Sequence, residues 1–392
     1  MSIDRHAHTK FTNCFLPFLG MGCLLLVGLL AGCGRPAIGQ SHNIQGKLNV
    51  LHVPAPYTLT GKIVLGPDSN LWFPAVAYNN FTTDQPSGAI GRLTPDGTFR
   101  FFPMPLTNTY PLDIAFGRDG KLWFSAFQGN GILAPNVDTA PRFTGGRSVP
   151  GQMSQDGQFH LFTLPSPTIS LNSIAVGADG NLWFTDVSNT GGPTYSYVNK
   201  IGRVTPAGVF TEFSLSLRKA TDFINLLIVG PDSNLWFSID SYLPDYSAFG
   251  EIGRMTPQGA TTIYTLGKFL LPHNMTIGPD NNIWFSASSA VGRITSNGEV
   301  RLFTPALKVK GSNWMSISGI TDGSDGALWF ATENAAVGRV TIDGAFKFYP
   351  FPPGISFDNG SSSFDLGNLR GIVAGADGTF WLTDGTQIGH FV

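Results

Sequence analysis

Cysteine is nearly missing from this chain, and what there is sits at one end. The 392 residues contain Cys14, Cys23 and Cys33 and no others. The remaining 359 positions therefore hold neither a disulfide framework nor a cysteine-based zinc site. Charge is also scarce: 13% of residues are Asp, Glu, Lys or Arg, and the formal net charge is −2. That leaves no basic surplus for nucleic acid and no charged run that would steer a partner. After the N-terminal segment there is no helical period, no heptad and no amphipathic helix, which argues against bundles and coiled coils. A phosphate loop and a Ser-His-Asp spacing are absent too.

The one long apolar run, Phe15 to Leu30, follows Arg5 and Lys10 and ends in Leu30-Ala31-Gly32-Cys33. This is the layout of an export signal. Its last four residues resemble the lipobox of bacterial lipoproteins. The resemblance implies that residues 1–33 form a signal peptide, that Cys33 carries the lipid, and that Cys14 and Cys23 are removed with the signal. A plain N-terminal membrane anchor is the alternative. Residues 34–47 read as a polar tether. The expected location is the cell membrane, facing out of the cytoplasm, and a monomer is expected.

What the chain has in quantity is glycine (48) and proline (27), as many tight turns require. Seven segments repeat a Gly-x-Asp-x-x-Leu-Trp-Phe pattern, from Gly66-Pro67-Asp68-Ser69-Asn70-Leu71-Trp72-Phe73 to the copy ending Trp381-Leu382. Trp72, Trp123, Trp183, Trp236, Trp284, Trp329 and Trp381 share one register, at spacings of 45 to 60 residues. Such periods mark propeller blades. Each unit reads as four short strands: an apolar strand, a tight turn, the Trp-Phe strand, an Ile-Gly-Arg strand as in Ile90-Gly91-Arg92, a second tight turn, and a strand such as Thr98–Phe102. The predicted fold is all-β: a seven-bladed β-propeller of four-stranded antiparallel blades over residues 48–392. Ile388–Val392 has no fourth strand after it, and Leu48–Pro54 has nothing ahead of it. The N-terminal strand is therefore expected to close the last blade.

The turns after the first and third strands are short in every repeat, so length variation falls on the other two connections. In an up-and-down blade both of those open on one rim, the expected binding face. Insertions there span Val76–Ser87, Phe127–Pro150, Val187–Asn199 and Asp240–Phe249, with long links at Pro305–Ser316 and Pro352–Asn368. Tyr57, Tyr78, Tyr110, Tyr195, Tyr197, Tyr242, Tyr246 and Trp314 are assigned to this rim, either for recognition or to cap blade ends. Eleven residues before each blade tryptophan stand Gly61, Leu112, Asn172, Asn225, His273, Ser318 and Arg370. They are expected to ring the mouth of the channel, as a small-ligand site or simply its wetted end. The tryptophans should pack between blades and the turn aspartates should bond turn backbone. Arg92, Arg203, Arg254, Arg293 and Arg339 should hydrogen-bond between blades.

Leu182-Trp183-Phe184-Thr185-Asp186, Ile201-Gly202-Arg203-Val204-Thr205-Pro206 and Phe348-Tyr349-Pro350-Phe351-Pro352 resemble the repeat of the virginiamycin B lyase family, and the likeness runs from about Leu48 to Val392. It implies a seven-bladed propeller. For the lyase itself it implies a magnesium-assisted elimination that opens a cyclic depsipeptide at its ester. Pro272-His273 matches the family element that bears the catalytic histidine, and a near-neutral histidine can remove a proton next to a carbonyl. The family carboxylate fourteen residues later is replaced by Ala287. A metal site would then depend on Glu333, or on a watery site served by Asp186 or Asp384. Arg370 and Asp384 hold the matching positions of the seventh blade, as an ion pair or an anion anchor. Two functions follow: a carbon–oxygen lyase acting on a cyclic peptide ester with His273 as base and Mg2+ as cofactor, or a non-catalytic propeller binding a small molecule or a protein.

Overall fold

In a computed structural model the chain forms seven antiparallel sheets arranged as a propeller ring. The described residues are 46–77, 87–129, 146–166, 169, 171–189, 196–242, 247–305, 317–332, 336–351 and 371–392. The signal, lipobox and nearly all of the tether lie outside them. So do Tyr78, Tyr195, Tyr246, Trp314, Glu333, Arg370 and the side chain of Tyr242.

Blade 5 shows the plan. Its inner strand is Pro272–Ile277, its second Ile283–Ala287, its third Ala290–Ile294 and its outer Val300–Phe303, hydrogen-bonded in that order. The second strands of the other blades begin at Leu71, Leu122, Leu182, Leu235, Leu328 and Phe380. In blade 7 the strands Gly371–Ala374, Phe380–Thr383 and Gln387–Phe391 are completed by Leu48–His52, with Leu48 opposite Phe391. Lys47 and Val392 exchange two backbone hydrogen bonds at that seam, of 3.1 and 2.9 Å. The closure expected from the sequence is therefore present.

Seven apolar clusters hold the ring, one at each blade interface, and each contains one repeat tryptophan. Each tryptophan packs against the following blade; Trp381 joins Leu59, Ile63 and Phe73 of blade 1 and closes the circle. Burying an aromatic of this size contributes on the order of 2–3 kcal/mol per ring.

The repeat residues explain one another. The turn aspartate accepts the N–H two residues on in all seven blades, as Asp280 does from Asn282 at 3.3 Å. In five blades it also takes the indole N–H, at 2.8 Å for Trp284. The recurring arginine lies over the tryptophan of its own blade, 5.2 to 6.0 Å from the ring. Arg254, Arg293 and Arg339 pair with their own turn aspartates. The expected inter-blade role holds only at Arg92, toward Gln155 O, and Arg254, toward Ser296 O. A guanidinium of that length reaches both its own turn and the next blade, and the turn carboxylate, as the charged partner, is the stronger acceptor. Blade 7 substitutes His390, stacked on Trp381 at 3.9 Å. Burial holds its pKa below the usual histidine value, against the pull of Asp377.

Candidate functional site

The two rims differ as expected. On the clipped rim every hairpin is a tight turn ending in one positive-φ residue, such as Gly120 at φ 74° or Asn281 at 56°. On the opposite rim the second strands have seven or eight residues in blades 1 to 4 but five, five and four in blades 5 to 7. Much of what read as inserted loop is thus extended hairpin, with Gln128 opposite Arg147 and Ser188 opposite Val198. The described rim is tall over blades 1 to 4 and low over blades 5 to 7.

Three of the rim tyrosines serve packing. Tyr110 is fully buried in an inner strand. Tyr57 stacks on Phe101 at 3.9 Å, and Tyr197 lies 5.2 Å from Phe223. All three fall on strands, where alternation turns one side chain in two toward a neighbouring blade.

At the innermost strands the eleven-back positions share a backbone feature that side-chain counting did not anticipate. In blade 5, Pro272 pairs with Ala287 and Asn274 with Ser286, so His273 is an extra residue, a β-bulge. Ser318 stands in the same bulge of blade 6, between Ile317 and Gly319. Leu112 does so in blade 2, and Asn225 with Leu226 in blade 4. In blade 3 both Asn172 N and Ser173 O bond Thr185, at 3.1 and 3.0 Å, which is the same two-against-one arrangement. A bulge turns one side chain out of the alternation. Asn172, Asn225 and His273 are exposed although they sit on or next to the innermost strands. Behind Asn172 and Asn225, buried hydroxyls of the second strands take the spare N–H groups: Thr185 Oγ1 from Ser173 and Ser238 Oγ from Leu226, at 3.1 and 3.0 Å.

One residue further along, the inner strands carry polar groups that the eleven-residue count passed over. Lys62 and Asp113 form an ion pair at 3.1 Å across blades 1 and 2, and Asp113 Oδ2 accepts Ile174 N of blade 3 at 2.9 Å. Ser173 Oγ accepts Leu227 N of blade 4 at 3.1 Å. Counting ten rather than eleven residues back from the tryptophans finds all three.

Of the carboxylates assigned to a metal, Glu333 lies outside the described residues, and Asp186 and Asp384 are in blades 3 and 7 rather than beside His273 in blade 5. Ala287 is fully buried opposite Pro272. Asp186 is buried opposite Lys200, whose pKa is raised first by its 2.9 Å bond to Glu212 and further by Asp186. Asp384 Oδ1 accepts Thr386 N and Gln387 N at 2.8 Å each in the turn to the next strand, and its buried Oδ2 has no partner. Among the described residues no three His, Cys, Asp or Glu side chains cluster to hold a metal. Asp186 and Asp384 by themselves do not make the shell of several oxygens that magnesium demands. A further buried carboxylate reaches the ring: Asp240 of blade 4, 5% exposed, has no partner for Oδ1. Burial pushes its pKa up to about 7, against a hydrogen bond from the Asn225 side chain that lowers it.

Comparison with solved structures finds the same architecture. A structure described as streptogramin B lyase superposes with a TM-score of 0.62 at 23% identity, over 88% of this chain and 96% of that one. A catalytically inactive virginiamycin B lyase from Staphylococcus aureus, solved with quinupristin, gives 0.61 at 24% identity over 88% and 98%. The extracellular domain of a hybrid two-component system from B. thetaiotaomicron gives 0.54 at 11% identity, over 87% of this chain and 39% of that one. A search of curated proteins returned no match. The sequence profile of the virginiamycin B lyase family matches residues 194–391, half of the chain, and with the repeat and the seven blades in agreement this chain belongs to that family.

Proposed function

We propose that this propeller captures a small, amide-rich ligand, of which a cyclic peptide is the leading class, at the bulge ring around His273. The observation that supports the reading is the recurrence of the bulge at one register in blades 2 to 6, with Asn172, Asn225, His273 and Ser318 at the bulge positions of blades 3 to 6. Asparagine amides and an imidazole offer both donors and acceptors, which suits peptide carbonyls and N–H groups. The family relative solved with quinupristin supports the ligand class. Lipidation at Cys33 would place the site outside the cytoplasm; labelled fatty acid incorporated by the wild-type chain and not by Cys33→Ala tests that.

Turnover is the second reading, favoured by His273 itself: an exposed imidazole can accept a proton from carbon next to an ester carbonyl. Against it stands Ala287, which leaves the expected metal shell without its carboxylate. Mass spectrometry of quinupristin incubated with the protein, with and without Mg2+, decides. Capture alone predicts retained ligand and no ring opening. Ring opening by the wild type and not by His273→Ala would replace this reading with the lyase.

A further inference from the structure

Asp240 sits on the face of blade 4 that meets blade 5. It shares strand alternation with Trp236, which packs with Met275 and Phe285 of blade 5. Its third-strand partner Gly250 has no room for a methyl group: a Cβ there would lie 1.7 Å from Leu270 O. The carboxyl is thus sealed between two blades, its Oδ1 has no partner, and its contact with the ring is the Asn225 side chain. We propose that Asp240 is a positioning residue that sets which end of the Asn225 amide faces the channel. Ionised, the carboxylate can only accept, so Asn225 gives it the NH2 group and presents its carbonyl to the ligand. Protonated, the carboxyl donates its O–H to the Asn225 carbonyl, and the NH2 group turns to the ligand. One proton thereby exchanges an acceptor for a donor in the ring.

The surroundings leave Asp240 to titrate on its own. The inner strand of blade 5 offers His273, and the second strand Ile283–Ala287 offers no ionisable group. Within blade 4, Asp222 is engaged by Ser241 and by Lys219 N at 2.9 Å. Glu251 is held by Arg218 and Thr265, and Lys268 lies over the Phe269 ring. The swing falls near neutrality, where burial has moved the carboxyl.

The consequence for binding rests on the ligand reading above, but the test does not. The full chain labelled with 15N at asparagine shows the Asn225 side-chain amide by NMR, assigned by its loss in Asn225→Ala. Its signals should move through one transition centred near pH 7, stay still in Asp240→Asn, and keep moving in His273→Gln. The Asp240 carboxyl carbon of the wild type should titrate with the same midpoint, a check that needs no variant to fold. Static Asn225 signals in the wild type, an unchanged transition in Asp240→Asn, or two different midpoints would overturn the proposal. None of these outcomes depends on whether quinupristin binds.

Discussion

A methyl group on Gly292 would lie 2.1 Å from the ring of Phe285, and the equivalent glycines of five other blades meet their own phenylalanines at 2.1 or 2.2 Å. The glycine of Ile-Gly-Arg is therefore a seat for the aromatic ring of the neighbouring strand. Gly292→Ala should cost about 1–3 kcal/mol, read as a lower denaturation midpoint. The clipped-rim turns predict the opposite sign. Ser233 adopts φ 61°, where four other blades place glycine, so Ser233→Gly should stabilise by about 0.5–1 kcal/mol in the same assay. Asp240 adds a pH term. Its folded pKa of about 7 lies above the unfolded value of 3.8, so the folded state holds the extra proton between those values. The stability it contributes is complete below about pH 4 and is lost as pH rises through 7. Between pH 5 and 8 the wild type should lose about 2–3 kcal/mol that Asp240→Asn does not lose. Denaturant titrations at the two pH values check this. An equal pH dependence in both proteins would refute the burial of this carboxyl.

Among the strands, the bulge matters most. In blades 3 and 4 a second-strand hydroxyl takes the additional N–H, as Ser238 does for Leu226. Ser238→Ala leaves that part-buried N–H without its partner; it should cost about 1 kcal/mol in chemical denaturation and weaken any ligand bound next to Asn225. The sequence showed where the blades are because tryptophan, glycine and aspartate repeat in register. A count back along the inner strand also keeps its register from blade to blade, since every tryptophan pairs with the residue eight before it. The sequence did not show the bulges. A bulge is one residue of backbone mismatch, and a register count tolerates it without a sign. Nor did it show Asp240, because four residues after the tryptophan the other blades carry residues as different as Val76, Phe127, Ser288 and Gly385. Its meaning comes from the next blade's wall at Leu270. The two readings of the tyrosines stayed open for a related reason: burial of Tyr110 depends on neighbours more than ten residues away in sequence.

At the scale of the whole molecule, a ring of seven sheets is closed by one short strand from the far end of the chain. Deleting residues 46–53 would expose the Gln387–Phe391 edge and remove Leu48 from the cluster around Trp329 and Phe391. The truncated protein should melt at a lower temperature than the intact chain. The proposed site lies on one rim of the ring. Its clipped rim is uniform, and its variable rim carries the bulges, with His273 on the low side. The most direct test is calorimetric titration of quinupristin into the wild type, His273→Ala, Asn225→Ala and, on the clipped rim, Asp96→Ala. The account predicts binding that weakens about tenfold or more in both ring variants, the loss of a hydrogen bond or two, and that is unchanged in Asp96→Ala. No binding by the wild type, or equal affinity in the ring variants and the wild type, would contradict it.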